Sequence, residues 1–217
     1  MDNKKLIAGF GYQEGRISSW DGKRTYTQAV PHMAKHCCDN GVDEILVYDW
    51  SVTDEDHEAA IAVIKEVCRE ADAPVIAGGR VKRMEDVKKY LYAGASAVFL
   101  DMSKEENTDM IKEASGRFGK EKIYAYLPTD EYIDSVKDYG AAGASVMLLN
   151  TAGSVPSLLE MASISDSEAS FLFFLQAKDD AKDTAESLKN AFGCGNICGA
   201  VLTFTEDNMD SSMTIKQ

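Results

Sequence analysis

No basic run longer than a pair, such as Lys82-Arg83, occurs anywhere in the 217 residues, and the formal net charge is −13. Proteins that grip phosphate backbones concentrate lysine and arginine, so this balance argues against nucleic acid as a partner. No apolar stretch approaches the length of a membrane span, and the opening "MDNKKLIAGFGY" lacks the long apolar core of a secretion signal. The expectation is a cytoplasmic protein without a membrane partner. The cysteines are five, Cys37, Cys38, Cys68, Cys194 and Cys198, an odd number whose spacings match neither a disulfide framework nor paired CxxC zinc ligands. Reduced, mostly buried thiols follow.

Two small constellations need weighing against that background. Cys37 lies between His36 and Cys38, and His32 and His36 stand one helical turn apart, which could suit a metal or a nucleophile. The enclosing "YTQAVPHMAKHCCDNG" reads as an amphipathic helix closing at Asn40-Gly41, and packing or solvation accounts for the same residues.

What the chain has in quantity is apolar residue, 45% of the total, arranged in short runs rich in β-branched and aromatic side chains. Strands are expected at 6–12, 44–50, 74–79, 97–102, 122–127, 145–150, 171–176 and 198–204. Helical stretches fall between them, among them "EDHEAAIAVIKEVCREA", whose Ala60, Val63, Ile64 and Val67 share a face, "MEDVKKYLYAG", "TDMIKEASGRFG" and "AKDTAESLKNAFG". Several close on a glycine, at Gly41, Gly94, Gly119 and Gly143, where the chain can turn into the next strand.

An internal repeat supports a regular architecture. "VKKYLYAGASAVFL" (87–100) and "VKDYGAAGASVMLL" (136–149) align without gaps, and the two copies lie two strand–helix units apart. Strands apolar throughout are buried on both faces, as in a parallel sheet, and eight such units fit a closed α/β (β/α)8 TIM barrel. A doubly wound open sheet is the alternative. After the eighth strand only "TEDNMDSSMTIKQ" remains, too short and polar for an ordinary closing helix. We therefore expect a barrel over 1–205 with its last helix missing or short, and a tail or linker at 206–217 leading to a downstream domain.

In such barrels chemistry sits at the carboxyl ends of the strands. The residues there are Gly11 and Tyr12, Asp49 and Trp50, Gly78 to Arg80, Asp101 and Met102, Leu127, Asn150 and Thr151, Gln176 and Lys178, and Thr203 and Thr205. Asp49 and Asp101 could pair over magnesium or as acid and base, or remain two solvated carboxylates. Gly78-Gly79 could offer backbone N–H groups to an anion, helped by Arg80 or Lys82, or could simply serve a tight turn. Lys178 reads as a surface lysine rather than a Schiff-base nucleophile. Trp20 and Trp50 would either line a ligand pocket or seal the mouth.

"GVDEILVYDWS", followed by "APVIAGGRVKRMEDVKKYLYAGASAVFLDMSKEENTDMIKEASGRFGKEKI", resembles the first half of the histidine-biosynthesis barrels, the cyclase subunit of imidazole glycerol phosphate synthase and its sister ribotide isomerase. "LIAGFGYQEGRI" aligns with their first strand and loop, and the resemblance runs from about residue 5 to residue 127. It implies a (β/α)8 barrel that binds a phosphorylated small molecule, with two phosphates across the mouth. It also implies an acid-base aspartate ending strand one, where this chain has Gly11 followed by Glu14-Gly15-Arg16. The second family carboxylate falls at or near Leu127, with Asp130 beyond Pro128 as the nearest acid. A third-strand glycine triplet is here Gly78-Gly79-Arg80, and a fourth-strand Asn-Thr is Asp101-Met102, which sets a carboxylate against a phosphate. The glycine-rich turns after strands seven and eight are replaced by "LQAKDDAKD" and "TFTEDNMD". Asp49 and Arg16 match family positions.

The sequence reading is thus a histidine-pathway barrel whose catalytic set is dismantled, serving as a binding, scaffold or regulatory module beside cyclohydrolase and pyrophosphohydrolase segments, without a cofactor or metal. The catalytic candidates Asp49, Asp101 and Asp130, and the phosphate-binding candidates Gly78, Gly79, Arg80 and Arg16, belong to the alternative. That alternative is an active lyase or isomerase acting on a phosphoribosyl aminoimidazole carboxamide compound.

Overall fold

The computed structural model describes residues 4–129, 135–150, 170–176 and 197–203, with Glu186, Lys189 and Phe192. Along them run β1 (Lys5–Gln13), β2 (Arg16–Ser18), α1 (Val30–Asp39), β3 (Glu44–Asp49), α2 (Asp54–Glu70), β4 (Val75–Gly78), α3 (Met84–Ala93) and β5 (Ala97–Asp101). Then follow α4 (Glu105–Phe118), a 3-10 turn (Lys120–Lys122), β6 (Ile123–Leu127), α5 (Val136–Ala142), β7 (Val146–Leu149), β8 (Ser170–Gln176) and β9 (Ile197–Thr203). All eight expected strands are present within a residue or two of their expected limits. The repeat becomes α3–β5 and α5–β7, two copies of one unit. The helix expected at "AKDTAESLKNAFG" lies outside the described residues except for Glu186, Lys189 and Phe192, and the tail at 206–217 lies wholly outside them.

β1 and β3 to β9 pair in parallel in chain order, and β9 pairs back with β1 from Lys5↔Gly199 to Gly9↔Thr203, so the ring closes. The open-sheet alternative is excluded by that last pairing. β2 is the one described strand the sequence reading did not contain. It runs antiparallel to β1, with Gln13 opposite Arg16, across the two-residue turn Glu14-Gly15. Both turn residues have positive φ, 49° and 81°. That is the conformation a two-residue hairpin requires and the reason glycine occupies its second position.

Alternation along each strand divides the core in two. One set, including Phe10, Tyr12, Val47, Leu100, Leu127 and Phe173, packs beneath the helices. The other, with Ile7, Leu46, Ile76, Ala97, Leu148 and Val201, fills the ring, joined toward the carboxyl ends by Tyr48, Phe99, Tyr126 and Phe174.

Local chemistry agrees with these assignments. α2 begins at a reciprocal cap in which the Thr53 hydroxyl accepts from the Asp56 N–H while Asp56 accepts from the Thr53 backbone. Three acids, Asp54, Glu55 and Asp56, stand in its first turn, where the helix dipole favours them. α3 and α5 end on Gly94 and Gly143 in the left-handed region.

Replacing Thr53 with alanine removes the cap and should lower stability by about 1 kcal/mol. The change is to be read as a shift in the urea midpoint at constant slope, and an unchanged midpoint would mean that the cap contributes nothing.

Candidate functional site at the barrel mouth

The loop after β1 folds back over the carboxyl ends of the strands. Gly9 and Gly11 lie on ring-facing positions of β1, alternating with the outward Ala8, Phe10 and Tyr12. A Cβ on Gly11 would collide with the Ser18 hydroxyl and lie 2.7 Å from the Ser19 carbonyl oxygen. The position that the family resemblance reserves for an acid is therefore closed by β2 itself. A Cβ on Gly9 would come within 2.7 Å of Val201 and 3.5 Å of the Trp20 ring.

The hairpin delivers Trp20 into the mouth. Its ring meets Tyr48 edge-on at 5.4 Å, Tyr126 at 5.9 Å and Phe174 at 4.6 Å. Its Nε1–H donates to the Tyr126 hydroxyl at 2.9 Å, which also accepts from the Asn150 amide at 2.9 Å. Trp50 stacks on Tyr48 with centroids 4.1 Å apart, and Gly22 sits against the Trp50 ring. Offset and edge contacts of this kind add to the burial of each ring. Both tryptophans thus belong to one aromatic plug among the described residues.

The two strand-end aspartates have opposite fates. Asp101 shares the ring-facing register of Ala97 and Phe99 and is 4% exposed. It accepts from the Tyr48 hydroxyl at 2.6 Å and from the Ser103 N–H and hydroxyl at 3.0 and 2.7 Å. Asp49 instead follows Ile45 and Val47 outward, beneath the helices. It accepts from the Ser51 N–H at 2.8 Å and the Tyr90 hydroxyl at 2.8 Å, and meets His57 Nδ1 at 2.8 Å. The other ring nitrogen of His57 lies 3.6 Å from Asp86, which also accepts from the Lys82 N–H. Asp49 and Asp101 project to different sides of the sheet, so they do not form the pair that a shared metal or acid-base exchange needs. No group of three or more metal-ligating side chains is placed to hold an ion among the described residues.

The remaining candidates are placed as follows. Gly78 packs against the Phe99 carbonyl and ring. Gly79 has φ 102°, and a Cβ there would lie 2.5 Å from the Tyr48 ring. The glycine pair is thus required by a positive φ and by two aromatic neighbours, whatever else it does. Arg80, 4% exposed, donates to Asp54 at 2.6 Å and lies 3.4 Å from the Val52 carbonyl. The Arg80 guanidinium holds the Asp54 carboxyl below the usual range. Arg16 is exposed on the hairpin. Asp130, Lys178, Thr151 and Thr205 lie outside the described residues. His32 and His36 are exposed on α1, while Cys37 is fully buried, and that burial pushes its thiol up and keeps it protonated.

Sequence reasoning missed His57, Asp86, Tyr90 and Lys104. His57 continues the buried stripe Ala60, Ile64 and Val67 at helical spacing, so a polar residue on an apolar face was its available signal. Lys104 precedes α4 and donates through Nζ to the Gly79 carbonyl, with Asp101 at 4.0 Å. Burial lowers its pKa, opposed by the Asp101 charge.

Burial raises the tyrosines of this region. Tyr126 and Tyr124 are pushed up to about 12. Tyr48 rises further through burial and Asp101, and Tyr90 through burial and Asp49. Because the folded chain resists ionisation, their contribution to stability is complete below the ordinary tyrosine value of 10.0 and is lost as pH rises through the folded values. Lys104 acts in the opposite sense just below 10.5. We expect tyrosinate absorbance in a pH titration to lag behind that of free tyrosine and then rise together with unfolding between about pH 10 and 12. Independent, non-cooperative ionisation of all nine tyrosines would contradict the buried plug. Gly79→Ala should cost about 1–3 kcal/mol in denaturant midpoint because strain and a ring contact coincide there.

Comparison with known proteins agrees with this architecture. The family described as "Histidine biosynthesis protein" matches residues 14–158. The chain is 29% identical over 137 residues to the imidazole glycerol phosphate synthase subunit HisF of Staphylococcus aureus strains Newman, COL and MRSA252, covering 62% of this chain and 53% of each relative. It therefore spans about half the length of the curated relatives it matches. No described helix is long and apolar enough to cross a membrane. With the closed parallel ring and a family match over most of its length, the chain belongs to the histidine-biosynthesis barrel family.

Proposed function

We propose that this barrel is catalytically degenerate and acts as a binding, scaffold or regulatory module tied to histidine-pathway enzymes, with a cyclohydrolase or pyrophosphohydrolase segment as its partner. One observation carries the reading: the aromatic plug of Trp20, Tyr48, Trp50, Tyr126 and Phe174 occupies the mouth in which a family ligand would lie.

Supporting features come from each position that the ancestral reaction would use. Glycine at position 11 has no proton to exchange, and Ser18 and Ser19 fill the space beside it. Leu127, at or near the second family carboxylate, is 1% exposed beneath the helices. Asp101 is an inward acid at the strand ends, already engaged by Tyr48 and Ser103, and its charge opposes a phosphate docked nearby. The enzymatic alternative keeps one specific point in its favour, namely that Asp101 does face the ring.

An assay separates the two. The purified chain, given the phosphoribosyl aminoimidazole carboxamide intermediates with ammonium as nitrogen source, is expected to show no turnover above buffer. It should also retain a cyclohydrolase or pyrophosphohydrolase partner on affinity capture. Turnover that disappears in Asp101→Asn, with the fold intact by circular dichroism, would establish the enzyme and end the scaffold proposal.

A further inference from the structure

The turn after β4 presents a carbonyl, not an N–H group, to the nearest charged side chain. Lys104 stands at the N-cap of α4, the helix end that disfavours a cation, and makes no side-chain cap there. Its ammonium is drawn away to the Gly79 carbonyl oxygen, with the Asp101 carboxylate at 4.0 Å. Asp101 is fixed in turn by Tyr48 and Ser103, and the Lys104 N–H donates back to the Asp101 carbonyl at 3.1 Å. The Tyr48 ring lies against Gly79. A carbonyl oxygen and a carboxylate are the acceptors that suit the N–H groups of an alkylammonium ion. The other basic candidate in this turn, Arg80, points away toward Asp54 and Val52.

We infer that the mouth contains a cation site, built by the Gly79 carbonyl and Asp101 and occupied by the chain's own Lys104, whose competing free ligand is a primary alkylammonium ion. The inference goes beyond the scaffold proposal, since the site exists whether or not the barrel turns anything over. The lysine charge, 4.0 Å from Asp101, also compensates the buried negative charge of that carboxylate.

Chemical rescue tests it. Lys104→Ala deletes a propylammonium-sized piece and should melt about 2–4 °C below the parent chain. Added n-propylammonium chloride should restore much of that loss, whereas n-propanol and sodium chloride at the same concentration should not. Asp101→Asn in the same background should abolish the rescue. Lys104→Met, which keeps the volume without the charge, should melt low and stay unresponsive to propylammonium. Equal rescue by propanol would reduce the site to a filled cavity and overturn the inference. So would an unaltered melting temperature in both variants, or stabilisation of the parent chain by inorganic phosphate that vanishes in Lys104→Ala. These readings do not depend on turnover, so failure here leaves the assay for degenerate catalysis unaffected.

Discussion

Alternation along strands that close into a ring is the constraint from which the rest of this structure follows. Once β9 pairs with β1, every strand-final residue must face either the ring or the helices, and a shift of one residue exchanges the two. Tyr48, Asp101 and Tyr126 take the ring side; Asp49, Leu100 and Leu127 take the other. Among the described residues the mouth is thus assembled from large aromatic side chains, Lys104 and the engaged carboxylate of Asp101.

The second carboxylate is not idle for being turned outward. Asp49 ties β3 to His57 of α2 and Tyr90 of α3, and His57 meets Asp86 on its far side. These groups are almost wholly removed from water, where an unpaired charge would be costly, so mutual pairing is what permits their burial. The clasp fixes the start of the β3–α2 loop that carries Trp50, and Trp50 in turn covers Tyr48. Polar packing outside the ring and aromatic packing inside it thereby share one strand.

Much of this was legible beforehand. Uninterrupted apolar runs located the eight barrel strands, and the repeat of α3–β5 in α5–β7 pointed to a barrel. The same uninterrupted runs hid which face of each strand points inward, because a strand buried on both sides shows no polar alternation. That is why Asp49 and Asp101 looked equivalent. The recurrence of Tyr48, Phe99, Tyr126 and Phe174 near strand ends carried the missing information, as bulky rings gather where a ring must be filled. β2 escaped notice for its three-residue length, although Glu14-Gly15 is a two-residue turn signal. Lys104 and its carbonyl partner are brought together only by tertiary structure, 25 residues apart in the chain.

The packing of the β1–β2 hairpin on Gly11 couples two segments of the chain. With Ser18 and Ser19 seated against that glycine, any side chain introduced there must first displace a neighbour. Position 11 and the hairpin are therefore locked together: a larger residue becomes admissible in the strand only when the hairpin has first drawn back.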